Sequence, residues 1–95
     1  MLNAVIIHEI DSVVISTEEI EKNSLVVFKN RDDEDIEFKT IDNVPIYHKI
    51  SRKDISKNSK VYKYGECIGK ATQNIKKGAH VHTHNLKSLG DDSDE

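Results

Sequence analysis

The stretch Ile75–Asn85, IKKGAHVHTHN, contains a turn and a histidine row in eleven residues. The turn decides the fold. An isoleucine is followed by lysine two places on, then glycine, then a valine six places after the isoleucine. Glycine accepts positive φ, so the segment reads as a tight turn feeding a strand. Ile20-Glu-Lys-Asn-Ser-Leu-Val26 and Ile55-Ser-Lys-Asn-Ser-Lys-Val61 repeat the pattern with asparagine at the turn. Val44-Pro-Ile-Tyr-His-Lys-Ile50 keeps the apolar spacing without a turn residue. The copies are unequally spaced, which excludes a solenoid. They predict a compact all-β domain whose strands cross through similar corners.

The rest of the chain agrees. Its apolar residues are mostly isoleucine and valine, with no tryptophan and with Phe28 and Phe38 as its two phenylalanines. That bias favours strands. Strands are predicted over Ala4–His8, Ser12–Ser16, Ser24–Phe28, Asp35–Lys39, Ser59–Lys63, Cys67–Thr72 and Ala79–His84. Ser16-x-x-Glu19 and Ser51-x-x-Asp54 resemble capping boxes and predict two short helical turns. Asn30–Glu34, NRDDE, reads as an exposed hairpin tip; it lacks the ligand alternation and central glycine of a calcium loop. The predicted organisation is one domain over residues 1–88 and an acidic, disordered tail over 89–95.

Charge and cysteine content exclude several function classes. Residues 91–95 carry four of the 17 acidic side chains, leaving 14 basic against 13 acidic over the remainder. A nearly neutral domain has no basic stripe for a phosphate backbone, so nucleic acid is not an expected partner. The single cysteine, Cys67, can form neither an internal disulfide nor a thiolate cage, and reads as a small packed residue. No apolar run approaches the roughly 18 residues of a membrane span, and the N-terminus has no basic leader. A cytoplasmic location and no membrane contact are expected.

His80, His82 and His84 recur at period two, which on a strand places them on one face, with Val81 on the core side. Two of them can lean onto one metal, but three ligands from one flat strand need help, because bonds of about 2.0–2.1 Å require convergence. A polar strand face is the competing reading. His48 is a further candidate, and His8, in alternation with Ala4 and Ile6, reads as structural.

Over Val61–Leu86, VYKYGECIGKATQNIKKGAHVHTHNL, the chain resembles the small or N-terminal domain of the altronate/galactarate dehydratase family. Lys63, Tyr64, Gly65, Ile68, Gly69, Ala71, Thr72, Ile75, Gly78 and the whole run His80–Asn85 carry the resemblance. Asp11-Ser12-Val13 and His48-Lys49 extend it upstream. Tyr47 stands where the family commonly has glycine, and Ala79 where it has glutamate.

The resemblance implies a SAF-type domain of β-clip fold. It implies a lyase, specifically a hydro-lyase that eliminates water from a sugar acid with the help of a divalent metal. Iron is the first choice, with manganese or zinc as alternatives. The implied partners are a large catalytic subunit and the sugar-acid substrate, and the chain alone is expected to be inactive. On the same basis His80, His82, His84 and Asn85 are the expected catalytic residues, the three histidines are expected metal ligands, and His48 and Lys49 are expected to bind substrate. The sulfolactate sulfo-lyase small subunit is the alternative function. A non-catalytic SAF-type module that binds metal or carbohydrate is another.

Overall fold

The computed structural model describes residues 2–88, and the predicted tail over 89–95 lies outside them. The described residues form an all-β domain, as expected, and contain no helix. Its strands are β1 (Ala4–Val5), β2 (Val13–Ser16), β3 (Leu25–Lys29), β4 (Asp35–Lys39), β5 (Lys49–Ser51), β6 (Lys60–Lys63), β7 (Glu66–Ala71), β8 (His80–Val81) and β9 (Leu86–Ser88). They pair antiparallel in three sheets ordered β1-β2-β5-β8, β3-β4 and β6-β7-β9.

The repeated unit is the frame of the fold. In all four copies the residue three places after the first apolar one has positive φ: Asn23 at 68°, Tyr47 at 67°, Asn58 at 73° and Gly78 at 93°. In each, an N–H donates back three residues to a carbonyl: Ser24 to Glu21, His48 to Pro45, Ser59 to Ser56 and Ala79 to Lys76. Positive φ at the third position of such a turn is the type II pattern. The copies then lead directly into β3, β5, β6 and β8.

The corners also pair. Ile20 and Val44 exchange backbone hydrogen bonds, as do Ile55 and Ile75. The side chain before one corner caps its partner: Asn43 accepts from the Lys22 N–H, Asn74 from Lys57, and Asp54 from Lys77. A small buried residue sits against every corner, and Thr40, Ser16, Ala71 and Ser51 each both accept from it and donate to it through the backbone.

The first and last apolar residues of each copy supply two cores. Ile20, Val26, Val44 and Ile50 pack with Val14, Phe28 and Phe38. Ile55, Val61, Ile75 and Val81 pack with Val13, Ala71 and Ala79. Val13 and Val14 are adjacent on β2, so they enter opposite cores, as strand alternation requires. The sheet containing β2, β5 and β8 therefore runs between the two cores.

Asp11, 1% exposed, ties the N-terminal segment to the β6–β7 turn. Its carboxylate accepts from the His8 and Tyr64 N–H groups at 3.0 Å and from Gly65 at 2.8 Å. His8 is not on a strand: its exposed ring lies against Gly65, where a Cβ would come within 2.9 Å of it. Its role is structural, though by covering that turn rather than by alternation.

Three local expectations need correction. The two capping-box segments open bends, not helical turns. The Ser16 hydroxyl donates to Pro45 O and accepts from the His48 N–H across the chain, and the Asp54 carboxylate serves Lys77, so neither box closes locally. Ala79–His84 is a strand only over His80–Val81. Strands β5 and β9 fall where none was predicted. The hairpin over β3 and β4 is as expected, with the Asn30 side chain accepting from the Asp32 and Glu34 N–H groups at its tip.

Tyr47 holds a left-handed conformation that costs a side-chain-bearing residue about 1–2 kcal/mol, part of which glycine returns as chain entropy. The Tyr47→Gly variant is expected to be more stable by about 0.5–1 kcal/mol. Thermal unfolding should show a midpoint roughly 3–6 °C higher. An unchanged or lower midpoint would mean that the tyrosine ring stabilises the corner more than its backbone strains it.

Candidate functional site

Corners at Tyr47 and Gly78 lead into β5 and β8, which pair antiparallel with Lys49 opposite Val81 and Ile50 opposite His80. One step further in this register, His48 faces His82. Their rings stack with centroids 4.4 Å apart. The His80 ring lies diagonally, 5.0 Å from His48, with His48 Nδ1 and His80 Nε2 at 2.8 Å. At that distance one ring must donate a proton to the other.

The backbone under these rings is fixed by side chains. The His80 N–H donates to the Asp42 carboxylate at 2.9 Å. Past Val81 the chain folds back, and Asn85 causes this: its Oδ1 accepts from the His82 N–H at 3.0 Å and its Nδ2 donates to His80 O at 2.9 Å. Asn85 is buried with both ends of its amide occupied, so it positions the histidines. The histidine row is thus brought together by a turn, not by a strand face.

His48, His80 and His82 each offer a ring nitrogen, and the three nitrogens lie within 4.8 Å of one another. His84 is outside that group, with its ring 5.3 Å from His80. The ring nitrogens that the structure gathers are thus those of His48, His80 and His82, whereas the expected trio was His80, His82 and His84. The set fits a divalent metal. Tetrahedral bonds of about 2.0–2.1 Å place ligand atoms about 3.4 Å apart, within reach of small rotations of these partly exposed rings. Metal ligation also needs neutral imidazole. Burial, followed by repulsion from His48, His84 and His82, holds His80 below the ordinary 6.5, against a pull from Asp42. Burial, then His48, Lys49 and His84, do the same to His82.

Lys49 is half-buried, and burial followed by repulsion from Lys63 lowers its pKa below the ordinary 10.5. Cys67 takes no part: its Sγ lies 3.4 Å from Gly69 O, in keeping with a packed residue. A cleft of about 390 Å³, lined by Ile6, Phe28, Ile36, Arg31 and Arg52 among others, shares no residue with the histidine cluster. Its guanidinium groups are occupied, Arg52 by Glu9 O and Asp11 O and Arg31 by the Glu9 carboxylate. The histidines instead stand on an open face. Asp42 was not legible as a site residue, since its contribution depends on a partner 38 positions away.

Fold and site together define a small all-β domain that presents clustered imidazoles on an open surface. A family profile described as "Altronate/galactarate dehydratase SAF domain" matches residues 2–89, and the chain belongs to that family. The chain is 33% identical over 86 residues to the (2R)-sulfolactate sulfo-lyase subunit alpha of Chromohalobacter salexigens, a match covering 87% of this chain and 92% of that one. It is 34% identical over 82 residues to the altronate dehydratase of Bacillus subtilis, covering 86% of this chain and 16% of the enzyme. The corresponding figures for the Escherichia coli altronate dehydratase are 32% over 92 residues, 94% and 17%. The chain thus spans about a sixth of the dehydratases and nearly all of the sulfo-lyase subunit. Among the described residues, no helix is long and apolar enough to cross a membrane.

Proposed function

We propose that this chain is the small subunit of a hydro-lyase acting on a sugar acid, and that its histidine corner forms one wall of an active site completed by a larger catalytic chain. The observation that carries this reading is the convergence of His48, His80 and His82 on an open face. Small-molecule sites enclose about 300–1,000 Å³, so a cluster on an open face needs a second surface to close over it. The relatives are lyases by name, and the sulfo-lyase relatives are named as one subunit of an assembly.

Water elimination removes a proton from the carbon beside a carboxylate and expels hydroxide from the next carbon. His48, His80 and His82 would hold a divalent metal, iron(II) before manganese or zinc, which would supply Lewis-acid polarisation of a substrate oxygen. On this reading His84, outside the ligand group, would deliver a proton to the departing hydroxyl, which leaves as water. Lys49 offers positive charge to a substrate acid, and Asn85 holds the loop that carries His82 and His84. A second reading, the alpha subunit of a sulfolactate sulfo-lyase, is favoured by the match along nearly the full length of that separate subunit.

The purified chain is expected to be inactive alone. Co-expressed with a large catalytic subunit of the same family, it should give a metal-dependent complex active on altronate, galactarate or sulfolactate; the substrate turned over separates the two readings. Enzyme-like turnover by the isolated chain would sink the shared-site reading. Tight metal binding with no partner and no activity would favour a stand-alone binding module.

A further inference from the structure

The four corners are equivalent in backbone but not in sequence. Three carry polar residues at their turn positions: Glu21-Lys22-Asn23, Ser56-Lys57-Asn58 and Lys76-Lys77-Gly78. The fourth carries Pro45-Ile46-Tyr47, and all three residues are exposed. Isoleucine thus replaces lysine at the second turn position, and tyrosine replaces asparagine or glycine at the third. A run of exposed apolar residues is a fault in a free-standing domain unless it has a use. Tyr47 is 71% exposed, the most of any large apolar side chain among the described residues. It also holds φ at 67°, the left-handed conformation that the other corners give to asparagine or glycine. The exposed ring returns little burial for that strain, and strain of this kind persists where function requires it.

The same corner is clamped to β2 and adjoins the histidine cluster. The Ser16 hydroxyl donates to Pro45 O at 2.8 Å and accepts from the His48 N–H at 3.2 Å, and the Tyr47 N–H donates to Ser16 O at 2.9 Å. His48 is the next residue, so the apolar corner ends about 3.8 Å along the chain from a member of the imidazole cluster. We propose that Ile46 and Tyr47 are the anchor on which the large catalytic chain docks, with the tyrosine ring filling an apolar socket at the rim of the shared site. This rests on the shared-site reading above, which needs a second surface over the open imidazoles. The occupant follows from the relatives: the chain covers only 16% and 17% of the matched dehydratases, and the matched sulfo-lyase chains are named as one subunit. Tyrosine is among the side chains that dominate interface energies once their rings are desolvated. Because Ser16 holds Tyr47 and His48 together, an anchor at this corner also sets His48 in the partner's frame. Tyr47 stands where glycine is common in the family, so the socket is a feature of the matching large chain and not of the family at large.

The test measures the affinity of the full-length chain for the immobilised large subunit that gives it lyase activity. Tyr47→Gly should weaken binding about 30-fold or more, although the isolated variant melts no lower than the wild type. The double variant Ile46→Lys/Tyr47→Asn, which gives the corner the residues of its Ile20 and Ile55 counterparts, should weaken binding at least as much. Tyr47→Phe should stay within about threefold of wild type, since the ring fills the socket. Lys57→Ala, at the matching position of another corner, should change nothing. Zinc affinity of the isolated variants should equal that of the wild type, which separates loss of the partner from loss of the imidazole cluster. Binding within about twofold of wild type in both corner variants overturns the anchor, while an active wild-type complex leaves the shared-site reading standing. Self-association of the isolated chain that Tyr47→Gly abolishes also overturns it, by making a second copy the occupant. If no large subunit binds the wild-type chain, the anchor and the shared-site reading fall together.

Discussion

Gly78→Ala is expected to cost the domain about 3–5 kcal/mol and to lower its unfolding midpoint by roughly 15 °C or more. Two independent terms produce that loss. Gly78 has φ of +93°, where an L side chain is strained by about 1–2 kcal/mol. A Cβ there would also stand 2.3 Å from Lys39 O. That atom is backbone, at the end of β4, and cannot rotate away. Separating the two chains would break the bond from Ile41 N–H to Gly78 O and strain that from Gly78 N–H to Ser51 O. A chain of this size has only a few kcal/mol to lose. Asn58→Ala supplies the control, since Asn58 occupies the same turn position at φ 73° and already carries a Cβ. It should cost only about 1 kcal/mol. Equal losses in thermal melts of the two variants would mean that the contact with Lys39 relaxes freely.

The difference between those two corners also shows what was legible in the sequence. The pattern of an apolar residue, a turn residue and a second apolar residue identified the corners, because positive φ selects for asparagine and glycine. The Val44–Ile50 copy was visible only through its apolar spacing, because Tyr47 adopts the conformation without being of a type that favours it. Pairing between corners was not legible. Asn43, Asn74 and Asp54 look like ordinary loop residues until a partner corner, 17 to 23 positions away for the last two, presents its N–H group. The capping-box expectation failed for a related reason. A serine hydroxyl bonds whichever groups tertiary structure brings near, and for Ser16 those are Pro45 O and the His48 N–H.

The histidine run was legible as a candidate site, but its geometry was not. Period-two spacing assumes that the strand continues, whereas Asn85 turns the chain after Val81. The rings still meet, because a tight turn gathers side chains that a flat strand would spread about 6.6–7 Å apart. His48 joins them through the antiparallel register of β5 and β8, a long-range pairing that no local pattern reveals. Membership of the family adds that the named relatives are lyases, while the proposed ligand set rests on the convergence of the rings.

That ligand set leads to the largest functional effects expected. Titrated with zinc or, anaerobically, iron(II), in competition with a chromophoric chelator, the full-length chain should bind one ion. His48→Ala, His80→Ala and His82→Ala should each weaken it about 100-fold or more, since each removes one of three ligands. His84→Ala should change affinity by no more than about threefold. In the assembled enzyme, His82→Ala should lower kcat/KM by about 100- to 1,000-fold, and His84→Ala should lower kcat with metal content retained. The dependence on pH has a definite sign. His80 and His82 hold their protons more weakly when folded than an ordinary imidazole of pKa 6.5. Above 6.5 they are neutral in both folded and unfolded chains. As pH falls below 6.5 the unfolded chain takes up protons first, so folded-state stability declines through the lowered folded pKa values. Metal affinity should therefore persist below pH 6.5, with proton competition setting in at a lower pH than for free imidazole. Two results would reverse the assignment: loss of metal in His84→Ala comparable to that in His80→Ala, or full metal affinity in His48→Ala. Either would return the ligand set to the row His80, His82 and His84 and leave His48 as a second-strand neighbour that stacks on the site without completing it.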